Sequence, residues 1–492
     1  VNRQIRLVGL GIIVLFVALF VQLNWLQVVH APALNANPLN GQAVVKEYTA
    51  KRGDIVSADG ITLATSVPTN DQFKYLRHYP TGALFGQITG YFSFIYGSDG
   101  AERTYDKVLR GSSSPFKLPT SLSQLRQLLA NRDRSQSITL TVLDRLQKVA
   151  QTSLAGRVGS VVALDPQTGS ILAMYSNPSF DPNLLSGHDL AQVQANYQQL
   201  TSQPGAVLAP GAYRQRYFPG STFKIVTASA VYDHAPPLAT KVYPTLAALP
   251  LPQTTNLLHN FAGETCGGQL LELFTVSCDT GFGQIGLDLG AQALSSEAQS
   301  FGFNQVPPID LPFAATSTFP PASAFANDLP GLAFSAIGQQ NVDATPLQMA
   351  LVGGAIADGG TIMSPHILGH VTNAQNQIVS TYQAKPWVQA TSPATAAQVT
   401  QLMLSVVNSP DGTGAAARIP GVQVAAKTGT AQTGTGQINA WFVAFAPAAK
   451  PTIAVAVVLP NQPSANEYQG GTLAAPIAKA MIEADLTGAT PG

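Results

Sequence analysis

Ser221 and Lys224 stand three residues apart in FPGSTFKIV (Phe218–Val226), directly after Pro219-Gly220 and at the head of an apolar run. A serine hydroxyl is a poor nucleophile until a base takes its proton, and the usual base is a histidine held by a carboxylate. The seven histidines here are scattered, and no Gly-x-Ser-x-Gly elbow accompanies a serine. A lysine substitutes if burial lowers its pKa, because loss of water disfavours the ammonium form. Residues i and i+3 share a helix face, so the tips of Ser221 and Lys224 are expected to meet. Phe223, Ile225, Val226, Ala228, Ala230 and Val231 continue the helix with apolar residues on nearly every face, the pattern of a helix buried in a large core. Its N-terminus offers free N–H groups and a positive dipole end, suited to the oxyanion of acyl transfer.

A chain of this composition meets Ser-x-x-Lys by chance about once. A second copy, Ser114-Pro115-Phe116-Lys117, lies in a Gly/Ser/Pro stretch with no apolar helix behind it and is read as coincidence. The second chemical element is Lys427-Thr428-Gly429-Thr430, preceded by VQVAA. VQVAAKTGT alternates like a strand, and Gly429, lacking a Cβ, lets another backbone approach closely. An edge strand of this kind pairs with an extended peptide. No His-Glu-x-x-His or paired Cys/His spacing is present, so neither a metal nor another cofactor is expected.

The elements that must position these residues begin at the N-terminus. Leu7 to Val29 is 23 residues without a charge, about 35 Å as a helix, long enough to span a bilayer. Arg3 and Arg6 precede it and no Lys or Arg follows until Lys46. The positive-inside rule puts residues 1–6 in the cytoplasm and the remainder outside, in a single-pass cell-membrane topology. The competing reading is a cleaved signal peptide, but the apolar core is long for one and HAPALNANP is a poor cleavage site, so a retained anchor is favoured. Lys plus Arg balances Asp plus Glu at 26 each, which leaves no basic surplus for nucleic acid. Charged residues are 11% of the chain, against roughly a quarter in ordinary soluble domains.

Residues 30–137 read as an irregular module of short strands and loops that ends in a helical stretch, Ser121–Arg132. From 138 a mixed domain begins: ITLTV as a strand, LDRLQKVAQTSL as an amphipathic helix, and SVVALDPQTGSILAMYS as two strands joined at Gln167-Thr168-Gly169. AWFVAFA and TIAVAVVL form an antiparallel hairpin across Pro447–Pro451, followed by a helix in TLAAPIAKAMIEADL. Strands and helices at both ends, with a mostly helical middle, argue for an α+β fold, an antiparallel sheet flanked by helices. The Pro/Gly-rich stretches 203–211 and 306–331 read as long surface connections. Export permits a disulfide between Cys266 and Cys278; the alternative is two free thiols, with Cys278 a small buried apolar residue.

Ser221-x-x-Lys224, then Ser277-Cys278-Asp279, then Lys427-Thr428-Gly429, in this order, resemble the penicillin-binding proteins and serine β-lactamases. Arg52-Gly53-Asp54-Ile55 with Gly60 and Leu63-Ala64, then Arg77-His78-Tyr79-Pro80, Gly90-Tyr91 and Gly100-Ala101-Glu102 are similar to the N-terminal module of monofunctional class B penicillin-binding proteins. Pro178–Asn183, Gly338-Gln339, Thr345–Ala350 and Ala440–Val443 downstream are further stretches similar to the same family, and the tract around FPGSTFKIV most resembles the actinobacterial penicillin-binding protein A type.

The resemblance implies the transpeptidase fold over 138–492, a pedestal or dimerisation-like module over 30–137, and D,D-transpeptidation of peptidoglycan. By that resemblance Ser221 attacks the penultimate D-alanine carbonyl of a stem pentapeptide and Lys224 is the base. Ser277 relays protons aided by Lys427, the N–H groups of Ser221 and Thr430 form the oxyanion hole, and Thr428 and Thr430 hold the substrate carboxylate beside Gly429. It also implies lipid-linked precursors and stem peptides as substrates, β-lactams as covalent ligands, and division or elongation proteins, including a glycan polymerase, as partners.

Position 279 departs from the commoner asparagine. An ionised carboxylate only accepts hydrogen bonds, and near Lys224 it favours the ammonium form. Asp279 is therefore expected either to be protonated or mainly to orient Lys224. Two other functions share these residues: a β-lactamase or β-lactam sensor, which differs in the fate of the acyl-enzyme, and a non-catalytic scaffold of the growth or division machinery. The roughly hundred residues before the second domain leave no room for a glycan-polymerising domain.

Overall fold

The computed structural model describes residues 2–26, 48–112, 135–203, 205, 207–464 and 469–488. The expected helix Ser121–Arg132, the second Ser-x-x-Lys at Ser114–Lys117, the last three residues of the apolar span and the stretch around HAPALNANP lie outside them. The chain divides into two units, 1–51 with 66–76, and 52–65 with 77–492. In the first, helix α1 (Asn2–Asn24) takes in Arg3 and Arg6 ahead of the apolar run. Its Leu, Val, Ile and Phe side chains are exposed, and it is the one described helix long and apolar enough to cross a membrane.

In the second unit the order is β1 (Ile55–Val56), β2 (Thr62–Pro68, of which 62–65 belong to this unit), β3 (Ser137–Leu140), α2 (Asp144–Leu154), β4 (Gly159–Leu164) and β5 (Ile171–Asn177). Then come α3 (Lys224–His234), β6 (Tyr243–Leu246), β7 (Cys266–Gly268), α4 (Leu270–Thr275), α5 (Asp279–Ser300), α6 (Leu329–Ala336) and α7 (Pro346–Ala357). The remainder is β8 (Leu368–Thr372), β9 (Ile378–Thr381), α8 (Pro393–Asn408), β10 (Ala425–Gln432), β11 (Gln437–Ala446), β12 (Ile453–Pro463) and α9 (Ala475–Thr487).

The main sheet runs β10-β11-β12-β4-β5 and every pair in it is antiparallel. β11 and β12 read as continuous apolar runs because both of their faces are covered: α7 packs on β4, β11 and β12, and α9 on β11, β12 and α2. All but the first residue of β11 are buried. The strand, helix and hairpin assignments made from the sequence hold here, including the turn between β4 and β5. β10 is an edge strand, but its side chains are buried from Ala425 to Gly429, because the turn bearing Ser221 and helix α8 cover it.

A second sheet places β9, β8, β3, β1 and β2 as neighbours in that order. β1 pairs parallel with β3, Ile55 opposite Ile138, so this sheet runs across residue 137. Arg214 and Asp99 (2.7 Å) and Tyr105 and Asp310 bridge the same point in the chain. On the near side the fully buried Glu102 pairs with both Arg52 and Arg77, and the guanidinium of Arg52 also lies over the Phe92 ring.

The long connections are not purely superficial, which corrects the expectation for 203–211 and 306–331. Val207 is buried with Phe180, Leu185 and Leu200. Ile309, Leu311, Phe319 and Phe325 reach the main core, with Phe319 stacked on Phe223 at 5.3 Å. A long segment that inserts an apolar anchor every few residues is held like an element without having a ladder of its own.

Candidate active site

Ser221 sits in a 3₁₀ turn, Gly220–Phe223, that runs directly into α3. Gly220 has φ +53°, and its N–H donates to Gly338 O at 2.9 Å. The turn is pressed against β10: a Cβ on Gly429 would stand 2.9 Å from Pro219 O and 2.9 Å from Thr222 Cγ2. The expectation that Gly429 admits a close backbone is thus met by the chain itself. Trp441 Nε1 donates to Phe218 O at 2.9 Å and fastens the turn from β11. α3 is buried from Lys224 to Val231, so Lys224 is fully desolvated, whereas Ser221 keeps about 9% of its surface at the cleft.

The side chains expected to do chemistry converge. Lys224 Nζ donates to Asp279 Oδ1 (2.7 Å) and Ser277 O (2.7 Å), with Ser277 Oγ at 3.4 Å. Lys427 Nζ donates to Ser277 Oγ (2.8 Å) and Thr428 O (3.1 Å). The Ser221 hydroxyl donates to Asp279 Oδ1 at 3.3 Å. The tips of Ser221 and Lys224 therefore do not bond each other, as the i, i+3 spacing had suggested; both turn to one carboxylate oxygen. An ionised carboxylate is acceptor-only and takes two donors at once, so aspartate at 279 collects the nucleophile and the amine on a single atom.

Burial lowers the pKa of Lys224, against the opposing pull of Asp279. Lys427 is pushed well below the usual lysine range, first by burial and then by the neighbouring Lys224, with Asp279 opposing. Two buried amines share one carboxylate, an arrangement that favours a neutral amine in the pair. The ring centres of Phe282 and Phe274 lie 5.2 and 5.5 Å from Lys224 Nζ and Lys427 Nζ, and both rings are buried.

Ser277 and Asp279 hold their places through a tight link between α4 and α5. Ser277 has φ +62°, a conformation that costs an L-residue energy, and the Cys278 N–H donates to Leu273 O at 2.8 Å. Asn260 is buried, accepts the Thr280 N–H through Oδ1 (2.9 Å) and donates to Leu246 O and Glu264 O. Cys266 and Cys278 form a disulfide, Cα to Cα 5.8 Å, which resolves the open alternative in the sequence.

On β10, Gln339, with its amide oriented so that oxygen accepts from Gln432 N–H (2.9 Å) and nitrogen donates to Gln432 O (3.3 Å), occupies the outer edge at residue 432. Backbone groups alternate sides along a strand, so the N–H and C=O of Thr430 and Thr428 point outward as well. The Thr430 N–H faces away from β11 by the same alternation, and Ser221 N–H stands at the head of its turn, where a 3₁₀ ladder leaves the first donors free. Thr428 Oγ1 hydrogen-bonds Thr413 Oγ1 at 2.7 Å.

The cleft, about 590 Å³, is lined by Ser221, Ser277, Asp279, Thr413, Thr428 and Thr430 among others. Asn260 and Thr413 were not anticipated, and Gln339 entered only through the family-like pair Gly338-Gln339, with no role at the site. The Asp411-Gly412-Thr413-Gly414 run marks a turn, while nothing in the sequence pattern marks Asn260. Among the described residues, no three His, Cys, Asp or Glu side chains are placed to share a metal ion.

Residues 159–483 match the family model for the penicillin binding protein transpeptidase domain, and 52–137 that for the penicillin binding protein A dimerisation domain. The chain is 38% identical to the peptidoglycan D,D-transpeptidase PbpA of Mycolicibacterium smegmatis, over 99% of each chain. Its fold is similar to the ceftriaxone acyl-enzyme complex of penicillin-binding protein A from M. tuberculosis, at TM-score 0.82 and 36% identity, covering 90% of this chain and all of that one. It is also similar to the D,D-transpeptidase domain of a peptidoglycan glycosyltransferase from Eggerthella lenta, at TM-score 0.77 and 32% identity, covering 89% and 99%.

Proposed function

The chain belongs to the penicillin-binding protein transpeptidase family, and on that footing we propose how its side chains carry out D,D-transpeptidation of peptidoglycan. It is a serine acyl-enzyme transpeptidase and a class B penicillin-binding protein with an adjoining dimerisation-type module. Ser221 Oγ attacks the carbonyl carbon between the last two D-alanines of a stem pentapeptide. The electron pair displaced from that carbonyl settles on its oxygen, held by the N–H groups of Ser221, at the head of its turn, and Thr430, on the outer edge of β10.

The serine proton passes to Lys224 in the neutral form that burial favours, while Asp279 Oδ1 orients donor and acceptor together. Collapse breaks the carbon–nitrogen bond, and the departing D-alanine amine takes a proton from Ser277, which is replenished by the ammonium just formed on Lys224, while Lys427 holds the Ser277 hydroxyl in place. An amine of a neighbouring stem then attacks the ester, loses its proton along the same path and returns Ser221 to its hydroxyl form. Thr428 and Thr430 donate to the terminal carboxylate of the donor peptide, which pairs in extended form along the outer edge of β10.

What carries this reading is one continuous set of hydrogen bonds that joins residues from three distant parts of the chain, 221–224, 277–279 and 427, at the floor of a single cleft. β-Lactams acylate the same serine. Mass spectrometry of the full chain treated with penicillin G tests it: the adduct is expected on the peptide containing Ser221 and is absent in Ser221→Ala. An adduct on another residue, or one that survives the substitution, overturns the assignment.

α1 supports membrane attachment with Arg3 and Arg6 on the cytoplasmic side and the catalytic domain outside. In this reading residues 7–29 span the membrane, residues 30–137 form a pedestal, and 138–492 carry the chemistry on lipid-linked precursors. The pedestal serves as the docking surface for elongation or division proteins, a glycan polymerase among them.

A further inference from the structure

We propose that the Cys266–Cys278 disulfide is a positioning device for the proton relay, which makes acylation of Ser221 dependent on the redox state of a bond exposed in the cleft. The inference rests on the reading of Ser221 as the acylated residue. Cys278 lies between Ser277 and Asp279, the two residues whose oxygens receive Lys224 Nζ. Its partner Cys266 opens β7, whose one strand neighbour among the described residues is β6. The bond therefore ties the middle motif to a thin cleft wall and not to the main sheet.

Ser277 needs the tie because of its φ of +62°. The Ser277 and Cys278 N–H groups bond Phe274 O and Leu273 O on the α4 side of the link, and the α5 side is held by the Phe282 N–H on Cys278 O together with Asn260 and the disulfide, the one covalent tie of the link to the cleft wall. Cys278 is the N-cap residue of α5, and no side chain of its own caps that helix. Without the bond, Ser277 can relax toward ordinary backbone angles. That swings its hydroxyl and carbonyl away from Lys224 and Lys427, and a misplacement of about 1 Å at such a relay costs about a hundredfold in rate.

Both cysteines line the cleft and Cys266 is partly exposed, so a small dithiol reaches the Cys266 sulfur. One thiolate of the dithiol attacks that sulfur, releasing the Cys278 thiolate and forming a mixed disulfide. The second thiol closes on the first, releasing Cys266. The protein gains two thiols and the reagent becomes its cyclic disulfide.

The test uses the full chain in detergent, oxidised, reduced with dithiothreitol, and as Cys266→Ala, which leaves the 277–279 motif unaltered. Thiol counts verify each state, and the rate constant for acylation by a chromogenic cephalosporin and its saturation constant are measured separately. Reduction and Cys266→Ala are expected to lower the acylation rate constant about tenfold or more while the saturation constant changes less than about threefold, since β10 is not tethered by the bond. Air reoxidation of the reduced wild type restores the rate. An acylation rate within twofold of the oxidised enzyme, with two thiols counted, overturns the proposal and assigns the positioning to Asn260. A melting temperature that falls below the assay temperature on reduction overturns it too, because the bond would then hold the fold. Failure of the oxidised wild type to be acylated at all would instead count against Ser221 as the nucleophile.

Discussion

Lys224 and Lys427 are two fully buried amines on opposite sides of Ser277, and they are not equivalent. The first sits at the start of a buried helix with a carboxylate at 2.7 Å. The second stands on an edge strand with a hydroxyl and a carbonyl for partners, 5.5 Å from the Phe274 ring. Burial drives both toward neutrality, but Asp279 touches Lys224 directly, and it is Lys427 that is displaced furthest. The lesson is that two equally desolvated lysines differ in how far they are driven to the neutral form according to whether an acid is placed beside them. The amine nearest Ser221 is held in orientation at some cost to the fraction of it present as free amine, and its counterpart across Ser277 relieves the surplus charge.

Removing either amine tests that asymmetry. Lys224→Ala is expected to reduce penicillin acylation by about a thousandfold or more, and Lys427→Ala by about a hundredfold, both read as second-order rate constants. Equal losses would erase the distinction. Asp279→Asn addresses its cause. Asp279 raises the Lys224 pKa against the effect of burial, so its removal makes the amine neutral at lower pH and moves the acid limb of the acylation profile downward, while the rate at pH 7.5 changes by less than about tenfold. An unmoved limb separates the carboxylate from the base.

The smallest effect concerns a buried acid outside the cleft. Glu297 on α5 is pushed up to about 9, first by burial and then by Asp233, and it contacts His234 at the end of α3. The folded protein holds that proton more tightly than the unfolded chain does. The resulting stabilisation is complete below the unfolded carboxyl pKa and is lost as pH rises toward about 9. Glu297→Gln is expected to flatten this slope and to raise the melting temperature at pH 8 by about 2 to 4 °C; a slope identical to wild type would show the glutamate already ionised in the native state.

Much of the catalytic domain was readable from periodicity. The hairpin of β11 and β12, the strands around Gln167-Thr168-Gly169 and the buried run after Ser221 declare themselves because packing on both faces leaves an apolar signature. The residues of the three motifs were legible by type and spacing. How they meet was not: spacing along a helix brings Ser221 and Lys224 to the same face, but the direction each tip takes is set by Asp279, which arrives from fifty-five residues past Lys224.

Asn260 and Thr413 were invisible for a similar reason. A single polar residue in a connection carries no pattern, and its importance comes from the N–H or hydroxyl that folding brings opposite it. The sheet crossing residue 137 escaped notice because β1 has only two residues, too few to show alternation, and its partner β3 is far along the chain.

The amide of Gln339 over Gln432 works as a doorstop. A visiting peptide that zips along β10 past Thr428 and Thr430 meets an occupied rung at the next outward-facing residue, and anything longer must peel away from the strand. On the proposed pairing the enzyme grips a stub and refuses a ribbon, and an amide that caps this rung leaves less of an open sheet margin to anneal with whatever extended chain drifts by.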